Sequence, residues 1–189
     1  MENALIISSA EKSTALLTEM LKTAFCETIC ISRTAGEARR LLLERDFDLV
    51  LINSPLSDET GENLAIDIAS KDMAQVILLA GSASFDEMSA ATENDGVLVV
   101  QKPIDKPLFW AALKLARAAI SRIKKVLNEN QKLIQKIEDI KIINRAKFIL
   151  VSHLKMNEQE AHRFIEKQAM DIREPRAEIA KNILKMYDC

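Results

Sequence analysis

The sequence predicts an α/β domain built on a five-stranded parallel sheet, followed by one long helix and a bundle of three short helices. Three observations carry this. Through the first hundred residues, apolar runs of strand length alternate with segments of helical periodicity, a pattern that buries a parallel sheet between helical layers. After Pro107 the chain holds no Gly and, of its four Pro, only Pro175, so nothing interrupts helix there. Between Ala116 and Ile137 the apolar residues step alternately by four and three, the spacing of a heptad seam.

The elements follow in order. Ala4–Ser8 is a short apolar strand, and Glu11–Phe25 carries Leu16, Leu17, Met20, Leu21 and Ala24 at helical spacing. Thr28–Ser32 alternates with β-branched residues. Thr34 precedes the next helix, to Arg45, with Glu37 three residues on, the pattern of a capping box. Asp48–Asn53 reads as a strand buried on both faces, Glu62–Ser70 as a helix, Gln75–Ala80 as a strand, Ser84–Glu93 as a helix and Gly96–Gln101 as the fifth strand. In such sheets crossovers are right-handed and ligands meet the carboxyl ends of the strands.

The remainder is helical. Ala116, Ile120, Ile123, Leu127, Asn130, Ile134 and Ile137 form the seam, which outlasts what a helix packed on its own domain requires. A parallel coiled-coil homodimer is expected, with Ile120, Ile123, Leu127, Asn130, Ile134 and Ile137 at the interface and Asn130 fixing register. Beyond Ile140 a broader stripe takes over: Ile142, Ile143, Ala146, Ile149 and Leu150. Asn157 caps the next helix with Glu160 at its third position, and Met156 and Ala161 can form a hydrophobic staple. That helix turns Ala161, Phe164, Ile165, Ala169 and Met170 inward; Pro175 opens a last one with Ala177, Ile179, Ala180, Ile183 and Leu184 inward. The division expected is residues 1–118, 119–140 and 141–189.

Composition narrows the function. The 189 residues are 48% hydrophobic, enough for a packed core. No apolar run approaches the roughly 18 residues of a membrane span, and Met1-Glu2-Asn3 lacks the basic start of a signal peptide; a cytoplasmic protein is expected. Cys26, Cys30 and Cys189 are odd in number and not in redox spacing, so free thiols are expected. His153 and His162 share no ligand spacing with them, and no metal or cofactor is expected. Charge is uneven: residues 1–118 hold 11 Lys and Arg against 18 Asp and Glu, a net of −7, and residues 119–189 hold 15 against 10, a net of +5. A basic end on an acidic body suits a polyanion partner. No nucleophile–base pattern or Gly-rich phosphate loop points to an enzyme.

Residues 1–118 resemble the receiver domain of response regulators, a flavodoxin-like fold, through strand order, helix placement and Gln101-Lys102-Pro103 at the end of the fifth strand. The resemblance implies a phospho-acceptor Asp ending the third strand, two acidic Mg²⁺ ligands after the first, a hydroxyl ending the fourth and an aromatic switch residue on the fifth. Here those positions hold Asn53, Ser8 and Ser9, Ala80 and Val99. An amide is a poor phosphoryl acceptor and a divalent ion needs anionic oxygens. A pseudo-receiver that works without aspartyl phosphorylation is expected. Asp48 and Asp58 lie away from the acceptor position, and Lys102 is read as a strand-end remnant of the family pattern.

Residues 141–189 resemble the ANTAR domain, the RNA-binding module of a family of transcription antiterminators. The residues that carry this are Ala146-Lys147 with Leu150, Glu158 with Glu160-Ala161, Ala169-Met170, and Ala177 with Ile179-Ala180. The resemblance implies a dimer that binds paired stem-loops in nascent leader RNA and so prevents termination. Two positions depart from the family: His162 stands where an aromatic is usual, and Glu166 where Arg is common. Splayed bases and phosphates call for planar and cationic side chains on an exposed helical face, for which Arg145, Lys147, His162, Arg163, Arg173, Arg176 and Lys181 are the candidates. Lys147 is expected to be exposed. The competing expectation is a protein-interaction or dimerisation module that binds no RNA. Without phosphorylation, the input would come from a sensor protein, a ligand or concentration-driven dimerisation.

Overall fold

The computed structural model describes residues 2–24, 26–71 and 74–187. It divides into two compact units, residues 1–124 and 125–189, and the long helix α5 contributes to both.

In the first unit the elements are β1 (Asn3–Ile7), α1 (Glu11–Thr23), β2 (Thr28–Ser32), α2 (Ala35–Glu44), β3 (Leu49–Asn53), α3 (Glu62–Ser70), β4 (Gln75–Gly81), α4 (Phe85–Thr92), a 3-10 turn (Glu93–Asp95), β5 (Leu98–Lys102) and the start of α5 (Lys106–Leu154). The sheet is parallel throughout, in the order β2-β1-β3-β4-β5. Side chains alternate across it as strand geometry requires. Ile7, Val50, Ile52, Val76 and Leu78 meet Ala38 and Leu42 of α2, Leu64, Ala65 and Ile68 of α3, and Met88 of α4. Ile6, Leu49, Leu51, Ile77 and Leu79 meet Leu17 and Leu21 of α1 and Phe109, Leu113 and Ala116 of α5. All five residues of β3 are buried, which explains its unbroken apolar run.

Local signals set the element ends. Thr34 caps α2 by accepting from Glu37 N–H at 3.1 Å. The expected box is displaced by one residue, because the Glu37 carboxylate accepts from Arg33 N–H at 2.9 Å rather than from the cap itself. Gly61 opens α3 with φ of 88°, and a Cβ there would lie 2.8 Å from Ile52 Cγ2. The fourth helix stops at Thr92 and tightens into the 3-10 turn, so β5 begins at Leu98, two residues later than expected. Phe25, expected within α1, and Cys189 lie outside the described residues; Cys26 and Cys30 are free thiols.

The second unit packs the end of α5 against α6 (Glu158–Ile172) and α7 (Arg176–Tyr187). Its core is Ala146, Ile149 and Leu150 with Ala161, Ile165 and Ala169 and with Ile179, Ala180 and Ile183. Four alanines in that list let the helix backbones approach closely. Asn157 and Glu160 form the complete capping box, at 2.9 Å in each direction. Pro175 lies just ahead of α7, its carbonyl accepting from Glu178 N–H at 2.9 Å. The ring of His153 lies 5.5 Å from that of Tyr187.

Three sequence expectations need correction. Met170 is 78% exposed, because the inward face of α6 is filled by Ala161, Ile165 and Ala169 and Met170 falls one residue past it. Ile120 is buried, at 7% exposure, and Ala116 fully so. The upper seam is therefore consumed within the first unit, and the exposed stripe begins at Ile123 and continues through Leu127, Ile134 and Ile137. Lys147 is not exposed: its side chain is 17% accessible and lies along the bundle.

Candidate functional site

Two places gather the polar residues singled out in the sequence. The first is at the carboxyl ends of β1, β3 and β5. Ser8, Asn53 and Ser54 are buried there. The Asn53 amide donates to Ser8 Oγ at 3.0 Å, and its carbonyl oxygen accepts from Lys102 Nζ at 3.1 Å. Lys102 also donates to the Ser54 carbonyl. Ser8 Oγ accepts from Ala10 N–H at 3.3 Å. The amide thus donates to a hydroxyl oxygen on one side and accepts from a cation on the other, and no buried side-chain polar atom among the described residues lacks a partner. Burial holds the Lys102 ammonium below its usual pKa, consistent with partners that are all neutral. Ser9 is exposed beside this cluster, Ala80 is buried, and Val99 is half-buried against the core. The peptide bonds Ser54-Pro55 and Lys102-Pro103 are both cis.

Two carboxylates elsewhere in the first unit, Asp48 and Asp58, have structural work. Asp48 sits ahead of β3, at the opposite end from Asn53, and accepts from Glu2 N–H at 2.6 Å and from Lys124 at 2.7 Å. Asp58 accepts from Ala35 and Gly36 N–H at 2.9 and 3.0 Å, at the N-terminus of α2. Among the described residues, no group of three or more His, Cys, Asp or Glu could hold a metal ion.

The second place is the surface of the helical bundle. Lys147, His162 and Arg163 come together there with Glu158 and Gln159 around a hollow of about 380 Å³. Lys147 pairs with Glu158 at 3.3 Å across the α5–α6 turn. Glu166 pairs with Arg176 at 2.8 Å and lies 3.3 Å from His162 Nε2, so it bridges α6 to α7. Lys181 pairs with Glu178 on its own helix. Arg173 is exposed and ends α6 in the left-handed region, with φ of 59°. Arg145 is exposed on α5, one residue before the buried Ala146. The structure thus joins Lys147, His162 and Arg163, links Arg176 to them through Glu166, and leaves Arg173 and Lys181 outside that hollow. Sequence reasoning missed the two acidic bridges, Glu158 and Glu166, since both join residues ten or more apart.

A parallel sheet in the order 2-1-3-4-5, followed in the chain by a small helical bundle, defines a receiver-like fold with a helical extension. The first unit resembles the signal receiver domain of an HD domain-containing protein from Pseudomonas fluorescens Pf-5, with a TM-score of 0.58 and 24% identity over 66% of this chain and 92% of that one. The model of the ANTAR domain matches residues 131–184. The chain thus joins a receiver-like fold to a segment that matches the ANTAR domain. It is 27% identical over 169 residues to the transcriptional regulatory protein PdtaR of Mycobacterium tuberculosis, a match spanning 89% of this chain and 82% of that protein. It is also 30% identical over 86 residues to the aliphatic amidase regulator of Pseudomonas aeruginosa, spanning 46% and 44% of the two. No helix among the described residues is long and apolar enough to cross a membrane.

Proposed function

We propose that the protein is a cytoplasmic, non-catalytic RNA-binding regulator that binds stem-loops in nascent leader RNA and so prevents transcription termination. The observation that carries this is the coincidence of the ANTAR match, residues 131–184, with the surface on which Lys147, His162 and Arg163 converge. Arg145, Arg173, Arg176 and Lys181 extend the cationic set, and phosphate contacts supply the salt-dependent part of the affinity. In this reading residues 1–118 are a pseudo-receiver, 119–140 a coiled-coil linker and 141–189 the RNA-binding domain.

Control is independent of aspartyl phosphorylation. The support is chemical: Asn53 is an amide already engaged by Ser8 and Lys102, and Ser8 and Ser9 bring no anionic oxygen for Mg²⁺. Input then comes from a sensor protein, a ligand or assembly. The assembly is a homodimer through Ile123, Leu127, Asn130, Ile134 and Ile137, all exposed in the single chain. Replacing Ile123 and Leu127 together by Asp should give monomers in light scattering; an unchanged dimer would move the interface elsewhere.

The test of function is a filter-binding titration with a transcript of two adjacent hairpins beside a single-hairpin control. Preference for the pair, steepening as salt falls, is the expected result. One observation favours the alternative, a protein-interaction module without RNA binding: Glu166 occupies Arg176 and His162. Absence of binding to any structured leader RNA, with the fold intact, would select it.

A further inference from the structure

Phe148 is 71% exposed, although Lys147 before it and Ile149 after it turn into the bundle. Core packing does not explain an uncovered phenyl ring on a small domain, and polar groups stand beside it. Asn144, Lys147, Phe148 and Val151 recur at three and four residues along α5 and so share one side of the helix. Glu158, in the first turn of α6, faces them across the turn. Together these five line a hollow of about 390 Å³, the scale of a small-ligand cleft. The Lys147–Glu158 pair is also a wall of the hollow that holds His162 and Arg163.

We propose that the Phe148 hollow takes one unpaired RNA base, stacked on the phenyl ring with an exocyclic amino group donating to Glu158, and that the adjoining hollow takes a neighbouring phosphate at Arg163. This rests on the RNA-binding reading above. A nucleobase is a ligand with an apolar face and a hydrogen-bonding edge, and unpaired bases are recognised by stacking on aromatic rings and by bonds to their edges. Here Phe148 and Val151 supply the apolar lining, while an amide, a carboxylate and an ammonium beside them can meet a base edge. A carboxylate only accepts. Adenine, cytosine and guanine each present an amino group to it, as in the pairing of Glu with the cytosine amine. Uracil presents its one N–H between two carbonyl oxygens, which a carboxylate repels. The hollow therefore favours an amino-bearing loop base over uracil. Glu158 also stays paired with Lys147, which lessens its repulsion of the RNA backbone.

The experiment uses the full chain and a two-hairpin transcript in two versions, one with adenines in the loops and one with uridines. A third version carries 2-aminopurine at successive loop positions as a stacking reporter. The wild type should bind the adenine version about tenfold more tightly than the uridine version, from the usual strength of a stacked and edge-bonded base. Phe148→Ala should lose about tenfold on the adenine loops and abolish the quenching of 2-aminopurine, with helical content and the salt slope unchanged, because phenyl touches no phosphate. Phe148→Tyr should restore both. Wild-type affinity and quenching in Phe148→Ala would overturn the stacking site while leaving the RNA-binding reading standing. Equal wild-type affinity for the two loop versions would overturn the contact of Glu158 with the base. If the folded wild type binds no hairpin at all, both this inference and the RNA-binding reading fall.

Discussion

The strand-end cluster of the first unit and the basic surface of the second treat their cations in opposite ways. Lys102 is partly buried and answered only by neutral oxygens, those of Asn53 and Ser54, so the cluster is closed and holds no negative charge to titrate. On the bundle, Lys147, Arg176 and Lys181 are each answered by a carboxylate, and those carboxylates are at least two-fifths exposed. Exposed ion pairs contribute little to stability, so an incoming polyanion can displace them at small cost. The difference separates a fixed structural site from a surface prepared for exchange, and it lets each be broken without the other.

The largest effect should come from the bundle. Arg163→Glu reverses a charge beside the hollow shared by Lys147 and His162. It should weaken hairpin binding by about 10- to 100-fold at moderate salt, with thermal unfolding unchanged, since Arg163 is exposed. Lys147→Glu is a poorer probe, because it would set a second carboxylate against Glu158 and lower stability as well.

At the strand ends the expectation is reversed. Lys102→Met leaves two buried acceptors, Asn53 Oδ1 and the Ser54 carbonyl, without their donor and should cost about 2 kcal/mol in urea unfolding. RNA affinity should stay at the wild-type level; a parallel loss of affinity would mean that the cluster signals to the bundle.

Much of this contrast was legible in the sequence. The run at Asp48–Asn53 and the strand–helix alternation identified the sheet because burial on both faces leaves an unbroken apolar signature, and Asn157 with Glu160 marked α6 because a capping box is local. The residues at the strand-end cluster were legible because the family pattern names each position. What stayed hidden was set by distance along the chain. The pairing of Asp48 with Lys124 and of Arg176 with Glu166 depends on packing that no local spacing encodes. The covering of Lys147 is hidden for the same reason: it pairs with Glu158 of α6, and a charged residue on a helix gives no sign of being covered. The heptad pattern could not tell Ile120 from Ile123, since a helix packed on its own domain and a coiled-coil seam share one periodicity.

A smaller effect concerns acid stability. Burial of Asp48 opposes its ionisation, but the Lys124 ammonium and the N–H groups of Glu2 and Asn3 outweigh it and hold the carboxyl below its usual pKa. A depressed carboxyl pKa contributes stability above the unfolded value near 3.9, and that contribution is lost as pH falls through the folded value. Asp48→Asn should therefore cost about 1 kcal/mol at neutral pH, and the gap between variant and wild type should narrow in unfolding curves taken below about pH 4. A gap independent of pH would assign the cost to packing.

The smallest effect should come from Glu166→Ala, which releases Arg176 and His162. Hairpin affinity should rise about threefold, of the order expected for relieving one exposed ion pair; a fall would place Glu166 itself in contact with RNA.

Antitermination without phosphorylation is tested most directly by single-round transcription in vitro. The template carries a leader with two hairpins ahead of a terminator. Readthrough should rise with added protein and be the same with or without acetyl phosphate and Mg²⁺-supported phosphorylation conditions, while intact mass spectrometry of the same protein shows no adduct. Readthrough that depends on acetyl phosphate, accompanied by a phosphoryl adduct, would contradict the account.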